Sequence, residues 1–330
     1  MIVPVHDGAS FLPSCLGALT AAARPDTEII VVDDASHDDS AAIAARYRVR
    51  VIRLEHNVGA AGARNRGARA AAGDVLVFID ADVEVAPDTI ERLVGMLDRR
   101  PDVAAVFGSY DAVPRAPGLV SQYRNLLHHF VHQHGDAEAS TFWTGCGAIR
   151  RAVFEASQGF DEGRHARSIE DIELGYRIRA AGHRIVLDPT IQATHLKHWT
   201  LWSVLRTDAM LRALPWARLV IERRPPNDLN IRLGQRVSVG LTMIATALLP
   251  LALVRPASIV LPVAAYVAVA IVNYEFLAFL ARVRGPAFAV ATVPLLLLHY
   301  LESGLCYAWA WLAHAVSRGR PGANLPGPAA

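Results

Sequence analysis

Lysine is nearly absent: Lys197 stands alone, so arginine supplies almost all of the 33 basic residues of this 330-residue chain. We read this as genome composition, not function. Cysteine is scarce too. Cys15, Cys146 and Cys306 have no C-x-x-C spacing, which fits a reducing compartment and argues against a disulfide framework or a structural zinc site. The formal net charge is only +2, so charge gives no argument for nucleic-acid binding, and no nucleic-acid partner is expected. No G-x-G-x-x-G follows the first apolar run, which leads instead into His6-Asp7-Gly8, and no P-loop occurs. A dinucleotide-binding Rossmann domain is thereby set aside. No signal peptide is expected, because the chain opens directly on a strand-like run, Met1–Val5.

What is present is a regular alternation. Ile2–Val5, Glu28–Val32, Val49–Leu54, Val75–Ile79 and Val103–Phe107 read as strands. Between them, Ser10–Ala23, a segment from Ser36 and Asp38 to about Tyr47, Gly59–Ala72 and a run opened by Pro87 read as helices. Ser10 is a plausible N-cap for the first of these. Such alternation predicts an α/β fold with a mostly parallel central sheet covered on both faces. Ligands of such sheets bind at the carboxyl ends of the strands. Asp33, Asp34, Asp80 and Asp82 all fall there.

Ile79-Asp80-Ala81-Asp82 is the sharpest of these signals. An apolar strand that delivers two carboxylates to its end makes a hard-cation site suited to Mg2+ or Mn2+ beside nucleotide phosphates. Loop aspartates ahead of Pro87 are the bland alternative.

Several segments follow in a telling order: Ile2–Gly8, Ile29–Ser36, His56-Asn57-Val58-Gly59 with Ala63–Gly67, and Phe78–Asp82. Together they resemble the family 2 glycosyltransferases with the GT-A nucleotide-diphospho-sugar transferase fold, over about residues 1–215. Two departures stand out. Met1 begins almost inside the first strand, where such proteins usually carry a few residues more, and Asp7 stands where they often have Asn.

The resemblance implies roles. Asp33 would accept a hydrogen bond from the nucleobase, with Pro4 and Val5 lining the base and ribose pocket. A turn carboxylate capping the next helix is the competing reading for Asp33, and a nearly equal one for Asp34. Asn57 and Gly59 would shape the wall near the nucleoside, and Arg64 would approach the diphosphate unless it is a surface arginine. Asp80 would lie near the ribose and Asp82 would coordinate the metal, Mn2+ or Mg2+.

The second half supplies the acceptor side. Residues 118–135 read as a helix leading into a His-rich segment, with His128 and His132 at chelating spacing. No H-E-x-x-H accompanies them, so an aromatic helix surface is the preferred reading. Small residues there permit close backbone approach to a ligand, the resemblance implies that Thr144 and Gly145 lie beside the sugar, and Cys146 reads as a packing residue. Glu170-Asp171 resembles the family's Glu-Asp motif at a helix start, with Asp171 as general base toward the acceptor hydroxyl. A solvated amphipathic helix is the alternative. One base without a nucleophilic partner implies single displacement with inversion. After the strand His183–Leu187, the resemblance puts His195 in the metal site, with His198 second. The Q-x-x-R-W pattern of processive synthases is absent.

Residues 237–313 read as a membrane domain of two to three transmembrane helices: Val237–Val254, Ala257–Val272 and Ala287–Ala313, with an interfacial segment at 273–284. His299 and Glu302 lie within the last. A basic linker, 216–236, carries Arg218, Arg223, Arg224, Arg232 and Arg236, which predicts a cytoplasmic catalytic domain in a multi-pass cell-membrane protein. Residues 314–330 are expected to be a disordered tail. The expected function is transfer of a sugar from a UDP- or GDP-sugar to a lipid-linked or envelope-glycan acceptor. A catalytically inactive nucleotide-binding scaffold and a sugar-phosphate nucleotidyltransferase are the alternatives.

Overall fold

The computed structural model describes residues 1–163, 168–223 and 232–318. Residues 224–231 of the expected linker, Arg224 among them, and the tail beyond 318 lie outside the described residues. The chain divides into two compact units: residues 1–117 with 131–198, and residues 118–130 with 199 onward.

Among the described residues the first unit has nine strands: β1 (Ile2–Val5), β2 (Ile30–Asp33), β3 (Arg50–Arg53), β4 (Val75–Ile79), β5 (Val83–Val85), β6 (Val103–Tyr110), β7 (Glu138–Ala139), β8 (Cys146–Arg150) and β9 (Arg184–His195). Their order is β3-β2-β1-β4-β8-β6-β9-β5, with β7 paired to β9. Pairing is parallel from β3 to β4 and between β6 and β9. Strand β8 runs antiparallel between β4 and β6. The expected α/β class is observed, with an antiparallel insertion that periodicity does not disclose.

Helices of this unit are α1 (Leu12–Ala22), α2 (Ser40–Ala44), α3 (Gly59–Ala70) and α4 (Thr89–Arg99). Then follow α5 (Leu119–Gln133), which belongs to the second unit up to Phe130, and α6 (Arg151–Ala156) and α7 (Glu170–Ala180). One sheet face is closed by Leu12, Leu16 and Leu19 of α1 packed with Val3, Val31, Val77 and Val106. Each such buried side chain contributes about 1.5–3 kcal/mol.

Several expected boundaries shift. Ser10 does not cap α1: the N-cap is Phe11, and the amides of Phe11 and Leu12 donate to the Gly8 carbonyl. The second helix is a short turn, because Asp38 ties the Ser40 amide and hydroxyl locally while Ser36 accepts from the Asp7 amide. Asp88 occupies the N-cap of α4 and leaves Pro87 outside it. His128, His129 and His132 lie within α5, inside the helix expected over 118–135. Strand β9 does not stop at Leu187 but continues to His195, and its pairing with β6 shifts register between Leu187 and Gln192.

Two backbone devices shape the sheet edge. The carbonyls of Met1 and Val5 accept from the amides of Ile30 and Asp34, so the odd residues of β1 face β2. Pro4 therefore turns toward β4 with no N–H to donate, and β1 pairs with β4 at Ile2–Phe78 alone. Gly175 of α7 lets that helix lie against the backbone of Thr141-Phe142. A Cβ there would stand 2.4 Å from the Phe142 nitrogen.

The second unit holds α8 (Leu201–Thr207), a π-helical turn at Asp208–Ala213, α9 (Leu214–Arg223), α10 (Leu233–Val254), α11 (Val260–Val272), α12 (Tyr274–Arg284) and α13 (Pro286–Arg318). Helices α10 and α13 are long and apolar enough to cross a membrane. The expected middle span differs. Helix α11 with its short 3-10 lead-in meets α12 at a 68° bend, and a third crossing exists only if this bent pair is one span. The helix α13 extends through residues 314–318 of the expected tail. His299 and Glu302 of α13 line a cavity with Tyr123, Arg124 and Asp208, and the Asp208 carboxylate accepts from Arg124 at 2.8 Å and Arg212 at 3.2 Å.

Gly→Ala in a helix normally stabilises by about 1 kcal/mol. Gly175→Ala should do the reverse, since backbone atoms cannot yield as a side-chain tip does. We expect a loss of about 1–3 kcal/mol, read as a lowered unfolding midpoint.

Candidate active site

Three clusters gather at the carboxyl ends of β1, β2 and β4. The first lies between β2 and α3. Asp33 is fully buried; one oxygen accepts from the Ser36 amide at 3.1 Å. Its Oδ2 is buried without a hydrogen bond, the nearest cation being Arg53 Nε at 3.4 Å. Val5, which pairs with Asp33 across the sheet, is buried, and Pro4 beside it is partly exposed. Asp34 caps a helix, but α3 and not the next one in the chain: its carboxylate accepts from the amides of Val58 at 2.7 Å and Gly59 at 2.9 Å. It thus serves the first amides of α3 and favours that helix end electrostatically. Gly59, at φ +79°, makes the turn into α3, and Asn57 donates to the Asp34 carbonyl.

The second cluster centres on Arg64. This arginine is not on the surface; it is buried. One guanidinium nitrogen donates to Asp80 Oδ1 at 2.6 Å and another to Glu170 Oε1. Burial opposes its charge, yet Asp80 and Glu170 hold its pKa above the ordinary arginine value. Asp171 accepts from its own neighbour Ile172 N at 2.8 Å and from the Thr144 amide. Gly145 is brought to the same place because β8 runs antiparallel to β4, and its carbonyl accepts from the Asp80 amide at 3.3 Å. A Cβ on Gly145 would collide with the Trp143 ring at 2.4 Å, so only glycine fits this approach.

Burial pushes the Glu170 carboxyl up to about 7, against the pull of Arg64, with Asp171 adding repulsion. Desolvation raises Asp171 as well, and Arg64 opposes it. Asp171 retains some accessible surface although protein atoms crowd it closely. Just before them, Ile169 sits in the left-handed region at φ +53°. A β-branched residue there costs about 1–3 kcal/mol, strain that aims the first turn of α7 at Asp80.

The third cluster is Asp82 with His195. Val83 pairs with His195 across β5 and β9, and the Leu196 amide donates to the Asp82 carbonyl at 2.8 Å. This sets His195 Nε2 3.4 Å from Asp82 Oδ2. His195 is buried and stacked on Tyr110 with ring centroids 4.4 Å apart. Burial works against the Asp82 charge, but His195 and Lys197 outweigh it and lower the carboxyl pKa. Two ligand atoms on one octahedral ion stand about 3 Å apart, so this pair fits a divalent metal.

Other expected residues resolve differently. His132 bonds to the Gly108 carbonyl at 3.1 Å and packs edge-on against Phe107 and Trp143, an aromatic packing role instead of chelation. Cys146 is buried with its thiol pushed up to about 12 by burial, as a packing residue. Sequence reasoning missed the frame around Arg64. Asn65 clasps Phe160 through its amide and carbonyl and donates to Glu162, while Phe160 lies under the Arg64 guanidinium at 5.8 Å. A polar Asn at a buried position of an alanine-rich helix was the one available sign.

Known proteins resemble this chain in sequence and in fold. Residues 1–157 match the model of glycosyl transferase family 2. A glycosyltransferase of Haemophilus influenzae is 33% identical over 139 residues, 38% of this chain and 47% of the relative. The validoxylamine A glucosyltransferase of Streptomyces hygroscopicus subsp. jinggangensis is 28% identical over 218 residues, 55% of this chain and 51% of the relative. The chain thus spans about half the length of these curated relatives. Among solved structures, a mannosyltransferase from Pyrobaculum calidifontis in complex with GDP-Man and Mn2+ aligns with TM-score 0.56 and 20% identity, covering 93% of this chain and 86% of that one. The fold is therefore GT-A-like. Over residues 1–157, just under half of its length, the chain is similar to the family 2 glycosyltransferases.

The raised Glu170 carboxyl carries a pH consequence. Its folded value, about 7, exceeds its ordinary value of 4.5. Its contribution to stability is then complete below pH 4.5 and lost as pH rises through 7. Glu170→Gln should flatten the stability-versus-pH curve across that window, measured as unfolding midpoints. An unchanged slope would contradict the assignment.

Proposed function

We propose that this chain is a membrane-anchored, inverting glycosyltransferase using a nucleoside-diphosphate sugar. One observation supports it most: Asp171, its pKa raised by burial, is held beside Asp80 in a cluster organised by Arg64. A carboxylate whose affinity for protons is raised suits general-base work near neutral pH.

The residues divide the work as follows. The Asp33 oxygen that has no hydrogen bond would accept from a nucleobase N–H, with Pro4 and Val5 beside it. Asp80 and Asn57 would line the nucleoside. Thr144 and Gly145 would bound the sugar. Asp82 and His195 would hold Mn2+ or Mg2+, whose chemistry is to neutralise charge on the departing diphosphate. Asp171 would take the proton from an acceptor hydroxyl as that oxygen forms its bond to the anomeric carbon. With no second carboxylate acting as nucleophile, the product is inverted. Arg64, already engaged by two carboxylates, serves to position them and is not available as a diphosphate ligand.

The apolar helices α10 and α13 support a membrane anchor and thus an acceptor at the membrane, lipid-linked or glycan. Arg218, Arg232 and Arg236 beside α10 favour a cytoplasmic catalytic unit.

The test is release of nucleoside diphosphate from a panel of UDP- and GDP-sugars by the full chain in lipid, with Mn2+ or Mg2+. We expect one donor to be turned over. Asp82→Ala should abolish turnover, and Asp171→Asn should lower it by about 10²-fold or more on a hydroxyl acceptor. On a phosphate acceptor, already anionic, Asp171→Asn should retain substantial activity. Pyrophosphate release would favour a nucleotidyltransferase, and absence of both turnover and nucleotide binding would favour a scaffold.

A further inference from the structure

A second group of potential ligands lies outside the machinery assigned above. His6 and Asp7 follow β1, and His37 lies in the turn after β2. Their ligand atoms all fall within 4.8 Å of one another. All three side chains are solvent-accessible, His37 the most, at 84%.

The hydrogen bonds around them leave a specific gap. Asp7 Oδ1 is occupied by the His37 amide at 2.7 Å. This bond, foremost among several effects, holds the Asp7 carboxyl below its ordinary value. Asp7 Oδ2 is in a long hydrogen bond with His37 Nδ1 at 3.4 Å and faces His6 Nε2 at 3.6 Å. His6 Nδ1 lies 2.8 Å from the Asp34 carbonyl. A carbonyl only accepts, so His6 carries its proton on Nδ1, and in the neutral ring Nε2 presents a lone pair toward Asp7. A lone pair facing a carboxylate oxygen offers a place for a shared cation, either a proton or a metal ion.

The geometry favours the metal. Ligand atoms about 2.0–2.1 Å from one tetrahedral ion stand about 3.3 Å apart, close to both separations here. A backbone carbonyl that accepts from the other ring nitrogen is the usual orienting partner of a metal-bound histidine. Two residues in left-handed conformation, Asp7 at φ +51° and Ala35 at φ +57°, set the turns that bring the loops together.

We propose that His6, Asp7 and His37 form a second metal site, for a borderline transition-metal ion such as Zn2+. It is distinct from the Asp82–His195 pair. Two imidazoles and one carboxylate select such an ion over Mg2+, which prefers oxygen alone. Its fourth position is open to water. Because His6 bonds to the backbone of Asp34, whose carboxylate caps α3, a filled site would brace the loop at the nucleoside end of the cleft.

The test uses the full chain in lipid, with excess Mg2+ to fill oxygen-rich sites, titrated with Zn2+ by calorimetry. The expected result is one equivalent of bound Zn2+. His6→Ala and His37→Gln should each weaken it by about tenfold or more, since loss of even an outer-shell partner costs about 10–100-fold. Asp82→Asn should retain it. His37 is exposed, so its substitution leaves folding intact, which an unchanged unfolding midpoint would verify. No Zn2+ binding above the Mg2+ background would overturn the proposal. So would binding indifferent to both histidines, or binding lost with Asp82→Asn.

Discussion

The guanidinium of Arg64 is the interaction on which the rest of the site depends. It is buried, and it joins Asp80 at the end of β4 to Glu170 at the start of α7, residues 90 positions apart. Three carboxylates, Asp80, Glu170 and Asp171, crowd a region that burial makes hostile to charge. Without a cation among them they would repel one another and take up protons. Arg64 suits this task because its planar fork can serve two acceptors at once, which a lysine could not do with the same geometry. The surrounding frame keeps the fork fixed. Asn65 clasps the Phe160 backbone, Phe160 lies under the guanidinium, and Gly175 lets α7 sit close enough for Glu170 to reach.

Two further constraints place the remaining parts of the cleft. Pro4 stops the ladder between β1 and β4, so the two strands diverge just where Asp33 and Asp80 emerge. The β5–β9 pairing then places His195 against Asp82. In each case a backbone feature, a missing donor or a strand register, decides where a side chain works. The apolar second unit has its own charged interior, with Asp208 bonded to Arg124 and Arg212.

Much of this was legible in the sequence. Strands β1 to β4 announced themselves as apolar runs, their alternation with helices put Asp33, Asp34, Asp80 and Asp82 at the carboxyl edge, and the resemblance implied roles for Asp171 and His195. What periodicity could not reveal was long-range pairing. Strand β5 is too short to show alternation, and β8 gives no sign of running antiparallel. Arg64 read as a plausible surface residue, because its two partners lie 16 and 106 residues away. The apolar run after residue 256 was expected to give way to an interfacial segment at 273, and Asn273 does occupy the N-cap of a new helix there; the 68° bend between the two helices was not legible.

The central claim is that Arg64 and its carboxylates act as one unit. A double-mutant cycle between Arg64→Met and Glu170→Leu, read by unfolding of the full chain, tests it most directly. Removing either partner alone strands a buried group and should cost about 3–5 kcal/mol. The double variant should be less destabilised than the sum of the two, with a coupling of about 1–3 kcal/mol. Strict additivity would mean that the two residues act independently and would contradict the account.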